Sequence, residues 1–249
     1  MARYYDNYGG YGSYSYYGWR PYVSQAQRRL QALRRVQQMR KGGRKVSPVE
    51  IGGRKIATTF WGSAWCDNLE RYSDFANRLP RGRTYVRNGS VIDLQIAAAK
   101  VTALVSGSEI YEVGVDVAPV AAARWRAMCA RCAGGIDSLV ELLQGRFSKA
   151  VMEHLCRQGT GLFPTPGDIR FSCSCPDWAS MCKHVAAVLY GVGARLDERP
   201  ELLFRLRKVN ERDLLARAGT RVPFSKKKPA ASRVLADEQL AEVFGVELV

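Results

Sequence analysis

Three of the chain's seven cysteines and one of its two histidines crowd into FSCSCPDWASMCKH, Phe171 to His184. Thiols and imidazole at that density can fill a core, run redox chemistry or hold a metal, and their spacing separates the three. Cys173 and Cys175 lie two apart in IRFSCSC, a credible strand, where alternate side chains point the same way. Pro176 ends the strand and Asp177 can turn the chain. Cys182 and His184 are also two apart, but HVAAVLYGVGARL after them is helical. Two residues along a helix lie on nearly opposite faces, so this pair converges only if Cys182 precedes the helix and His184 sits in its first turn. Strand, loop and helix start then meet at one tetrahedron of Cys173, Cys175, Cys182 and His184. A Cys₃His set favours one structural Zn²⁺ and leaves no position for a substrate water. In small fingers such an ion contributes an apparent ~10–16 kcal/mol at neutral pH.

The neighbouring residues fit a metal. Three thiolates around a divalent cation leave one net negative charge, which Lys183 and the positive end of the helix dipole offset. Trp178 is placed to cover the metal from water, and Val185, Val188, Leu189, Val192 and Leu196 form one stripe that packs the helix on the body.

The elements that must position this unit make an α+β chain. Residues 1–23, rich in tyrosine and glycine and poor in aliphatics, read as a disordered tail. Residues 24–45 read as a basic helix with Ser24 as N-cap and Gly42-Gly43 as the stop, docking through Leu30, Leu33 and Val36. Residues 53–120 form a β-rich domain. It opens on a loop and helix anchored by Trp61 and Trp65, then runs as an antiparallel meander, open or curled into a small barrel. Asn88-Gly89 marks one hairpin and Gly107-Ser108 another. Residues 121–162 read as a helical connector of three helices, with Ser138 and Glu141 as a capping box. Residues 163–200 hold the ββα-like zinc unit. Residues 201–249 comprise one amphipathic helix, ELLFRLRKVNERDLLARAG, then a basic linker and a short terminal amphipathic helix suited to a groove on the body or a partner.

Charge sets the expected partner. The chain has 38 Lys and Arg against 23 Asp and Glu, a net +15. A field of that sign attracts polyanions, nucleic acid or an anionic surface. The candidate phosphate contacts are Arg28, Arg29, Arg34, Arg35, Arg40 and Lys41 of the first helix and Lys226, Lys227 and Lys228 of the linker. The apolar run His184 to Ala194 is too short to span a bilayer, and the N-terminus lacks a secretory pattern. With an odd cysteine count, this points to a reducing cytoplasm and a nucleoid-associated protein without a membrane partner.

CSCPDWASMCKH fits C-x-C-x(n)-C-x-H, and the chain resembles the bacterial SWIM zinc finger proteins from Gly53 onward. The likeness covers TTFWGSAWCDNLERYSDFANRLPRGRTYVRNGSVIDL, VSGSEIYEVGVDV and Phe171 through LYGVGARLDERPELLFRLR. The resemblance implies Cys173, Cys175, Cys182 and His184 as ligands. It also implies binding to nucleic acid, DNA ahead of RNA, beside a Swi/Snf-type ATPase or helicase. The other expectation is a protein–protein adaptor whose zinc unit and C-terminal helix grip a partner.

Cys129 and Cys132 form a C-x-x-C that, with His154 and Cys156, offers a second metal set or a redox pair. Both readings are weaker than core packing, because MCARC sits in an alanine-rich helix and His154 and Cys156 diverge within another. Cys66 reads as a buried thiol. The chain has no G-x-x-x-x-G-K-[ST], H-E-x-x-H or G-x-S-x-G, so the expectation is a protein that is not an enzyme.

Overall fold

The computed structural model describes residues 23–71, 77–177, 179 and 181–216. The expected N-terminal tail, Trp178, Lys226, Lys227, Lys228 and the terminal helix lie outside them.

Around one sheet the chain runs α1 (Gln25–Lys41), α2 (Phe60–Glu70), α3 (Leu79–Arg87), β1 (Val91–Ala97), β2 (Lys100–Ser106) and β3 (Ile110–Val117). It continues with α4 (Ala122–Cys132), α5 (Leu139–Gln144), α6 (Lys149–Cys156), β4 (Ile169–Cys173), α7 (Lys183–Glu198), α8 (Glu201–Leu206) and α9 (Asp213–Ala216). The four strands lie in the order β1-β2-β3-β4, all antiparallel, so the sheet is open and the barrel option falls away. Closure would need β1 to meet β4. Instead the 47–49 segment lines β1, with Val49 N–H donating to the Val91 carbonyl and Leu94 N–H to that of Ser47.

Alternation along β2 and β3 sends Val101, Ala103, Val105, Val113, Val115 and Val117 to one face, all buried in the main core. Each such side chain contributes roughly 1.5–3 kcal/mol. Helix α7 packs on that face. Helix α1 lies on the other face, where Ala32 and Val36 meet Ile92, with Met39, Leu104 and Ile110 at the margin.

The central helix is buried almost all round, from His184 to Gly193, and not along the single expected stripe. The sheet covers one side and α2 and α3 cover the other. Those helices come close because the crossing points lack side chains. A Cβ on Gly62 would sit 2.6 Å from the Gly193 carbonyl oxygen, and one on Gly82 2.5 Å from the Ala186 Cβ. Trp61 and Trp65 are buried as expected, donating their indole N–H groups to the Leu142 and Leu189 carbonyls at 2.9 and 2.8 Å. At the far end of α7, Asp197 accepts from the backbone N–H and hydroxyl groups of Thr58 and Thr59, capping the start of α2.

Three local expectations are corrected. Asn88-Gly89 does not turn a hairpin; it closes α3. Gly89, at φ +68°, donates to the Val86 carbonyl and Ser90 to that of Tyr85, a Schellman closure. Pro80 suits the first turn of α3, and Leu79, Gly82 and Val86 share its buried face. The hairpin turns one element later at Ala98-Ala99, where Ala99 adopts φ 60°. Contacts from elsewhere hold it there: Ala99 N–H donates to the Leu206 carbonyl, and the Ala99 carbonyl accepts from Val117.

The predicted helix after α7 is two, α8 and α9. Lys208, at φ 53°, takes the position glycine usually fills and closes α8 with the same two hydrogen bonds. Arg207 beside it is fully buried, its guanidinium donating to the Ala118 carbonyl at 2.5 Å and lying 3.4 Å from Asp168 Oδ2. On α1, Leu30 and Leu33 are 48% and 51% exposed, and docking runs through the expected Val36 with Ala32 and Met39 in their place. The small Ala32 lets the helix lie close to Ile92. The Ser24 N-cap and the Gly42-Gly43 stop stand as read, and the structure adds a reciprocal capping bond between Ser24 and Gln27.

Candidate metal centre

Each ligand is placed by a different device. Cys173 ends β4, opposite Val113 of β3, on the strand face that also turns Ile169 and Phe171 to the main core. Pairing continues one residue past the strand: Ser174 N–H donates to the Glu112 carbonyl and Glu112 N–H to Ser174 Oγ, both at 3.0 Å. That keeps Cys175 on the same side as Cys173. Beyond it the loop is tied to α3 by Arg78, whose guanidinium lies 3.1 Å from Asp177 Oδ2.

Cys182 is the N-cap of α7, its Sγ accepting from Val185 N–H at 3.5 Å. His184 follows in the first turn, as the spacing requires. Its Nδ1 lies 3.9 Å from both Cys173 Sγ and Cys182 Sγ, and the four ligand atoms all fall within 4.8 Å of one another. A zinc tetrahedron with bonds of about 2.0–2.3 Å has edges of about 3.5–3.8 Å, so small side-chain shifts bring these atoms to bonding distance. Three sulfurs and an imidazole also match zinc's ligand preference. Cys173, Cys175, Cys182 and His184 would hold one zinc ion, which on binding draws the ligand loop onto the start of α7.

The imidazole is held in place by its neighbours. It stacks on Tyr111 at 4.3 Å and 23° and meets the edge of Tyr85 at 5.4 Å. Lys183 lies over the same Tyr85 ring at 5.6 Å. Gly107 has no room for a side chain: a Cβ there would be 2.8 Å from the Tyr111 ring. Nε2 has no hydrogen-bond partner among the described residues.

Burial disfavours charge here. It pushes the Cys173 thiol up to about 12 and raises that of Cys182. Burial, reinforced by the Lys183 charge and opposed by Asp177, lowers the His184 imidazole to about 4. Without a cation these groups stay neutral, so metal loading must displace thiol protons, and acid favours the metal-free state.

Among the described residues no second cluster of three or more Cys, His or acidic ligands is assembled. Cys129 and Cys132 are each 1% exposed in the main core, and burial pushes the Cys132 thiol up to about 11. Cys156 is raised to about 11 chiefly by burial. Cys66 is half-buried against Gly193, and burial with nearby Glu70, Asp67 and Asp197 raises it to about 12. All three shifts are the reverse of those that make a reactive thiolate.

Along α1, Arg29, Arg34, Arg35, Arg40 and Lys41 are exposed and Arg28 is half-exposed. Arg34 and Arg35 line a 440 Å³ cavity with the 106–110 turn, whose Gly107 abuts His184. The basic helix and the metal centre are thus joined through one turn. Tyr111, Tyr85 and the Arg78–Asp177 pair carried no sequence signal, because each depends on register or tertiary packing, and Gly107 was legible only as part of the turn between β2 and β3. No helix among the described residues is long and apolar enough to cross a membrane.

The SWIM zinc finger family model matches residues 172–192, spanning all four ligands and the first half of α7. The chain is also similar to Uncharacterized protein Rv2102 of Mycobacterium tuberculosis, 35% identical over 164 residues. That match covers 65% of this chain and 59% of the relative. No solved structure matches the chain.

Proposed function

We propose that this chain is a non-enzymatic accessory protein that binds nucleic acid, DNA ahead of RNA, through α1, and works with a Swi/Snf-type ATPase at the nucleoid. The observation that carries the reading is the division of labour on α1. Ala32 and Val36 are buried against the sheet, while Arg29, Arg34, Arg35, Arg40 and Lys41 stay exposed on a docked and capped helix. Fixed cations on a rigid support release counterions from a polyanion with little ordering cost. The SWIM module stands beside this surface as a stiffened corner, its closed ligand set suited to shape and not to turnover.

The test is a titration of duplex DNA with the full chain across a salt series. Affinity should fall steeply with salt, each phosphate contact adding about 0.9 to the log–log slope. Replacing Arg34 and Arg35 with glutamine should lower that slope by about two. A slope unchanged by those replacements, or no binding at low salt, would overturn the reading.

A further inference from the structure

A 380 Å³ groove runs between α1 and the 48–52 segment. Buried Ala32, Val36 and Val49 form its floor, and Leu33, half exposed, stands at its side. Its exposed borders are Arg29, Arg40 and Arg87 against the single carboxylate of Glu50. An apolar trough bordered by three guanidinium groups fits an acidic amphipathic segment.

The chain carries such a segment. Residues 237–249, DEQLAEVFGVELV, hold Asp237, Glu238, Glu242 and Glu247 and no lysine or arginine. Leu240, Val243, Phe244 and Leu248 recur at helical spacing. The other long stretch outside the described residues, 1–22, has Arg3 and Arg20 against Asp6 and lacks that complementarity. Residues 217–236 link the last described residue to the acidic segment, and extended they reach roughly 65–70 Å. A body of this size has a radius of gyration of roughly 16 Å, so reach sets no limit.

We infer that the α1 groove is the docking site for the chain's own residues 237–249, bound in cis with Leu240 and Phe244 in the trough and the carboxylates among Arg29, Arg40 and Arg87. Because Arg29 and Arg40 also belong to the polyanion surface, the docked segment competes with nucleic acid. That consequence alone rests on the function proposed above.

The test contains no nucleic acid, so its failure is separable from failure of that function. A fluorescein-labelled peptide of residues 237–249 is titrated into the full wild-type chain and into the full chain carrying Leu240→Glu and Phe244→Glu. A tethered segment competes at roughly millimolar effective concentration, so the peptide should bind the double variant at least ~10-fold more tightly than wild type. Adding Leu33→Glu to the double variant should abolish binding. Adding Leu30→Glu should not, since Leu30 is equally exposed but lies off the groove. Equal binding to both chains, binding to neither, or equal sensitivity to Leu30→Glu and Leu33→Glu would overturn the inference. So would a concentration-dependent wild-type dimer that the double variant loses, since that assigns the groove to a second copy.

Discussion

The main core and the ligand loop reach order by opposite routes. In the core, Trp61, Leu142, Leu196, Phe204 and the valines of β2 and β3 are almost wholly excluded from water. In the ligand loop, Ser174, Pro176 and Ala179 are exposed and Cys175 is only half-buried. Yet two ligands, Cys182 and His184, are 2% and 3% exposed at the head of the central helix. The metal site straddles the border, with one half standing on the hydrophobic core and the other half left for a bound ion to hold. Zinc here finishes a corner of a fold that burial already supports, whereas a small finger has little beyond its metal.

The sharpest way to break that contrast is to damage the core. Trp61→Ala removes the hub of an aromatic cluster that includes Phe60, Phe147, Phe163 and Phe204, together with the hydrogen bond to Leu142. It should cost about 3–5 kcal/mol, read as a lower global transition in thermal or urea melts. Next in size is Cys175→Ser. It should abolish stoichiometric zinc by elemental analysis and open residues 174–181 to protease, while the global transition falls by less than in Trp61→Ala. A larger fall for Cys175→Ser would mean that the metal, not burial, carries the fold. The smallest effect belongs to Arg78→Met. The Arg78–Asp177 pair is partly exposed at both ends, so its loss should cost about 0.2–1 kcal/mol and raise loop exchange without changing zinc content.

How much was legible in sequence follows the same division. The ligand set could be read because its spacing carries its own geometry: strand alternation for Cys173 and Cys175, a cap and first turn for Cys182 and His184. The strands at 100–106 and 110–117 announced themselves by period, and α1 by its Ser24 cap and paired glycines. What could not be read was settled at a distance. Asn88-Gly89 offers a positive φ to a hairpin or a helix end alike, and only burial of the face shared by Leu79, Gly82 and Val86 selects the helix. Ala99 and Lys208 occupy left-handed turns without glycine, held by partners many residues away or by the closure itself. Pairing of β4 with β3 joins residues more than fifty positions apart, and nothing local to IRFSC names its neighbour.

The central helix has Cys182 at one tip and Asp197 near the other, roughly 22 Å apart along a straight rod. One tip carries two of the zinc ligands and the other grips Thr58 and Thr59, which lead into α2. Packed on nearly every side, such a rod has no slack in which to absorb a pull. Whatever grasps the metal corner therefore also tugs on the threonines that begin a helix at the opposite pole.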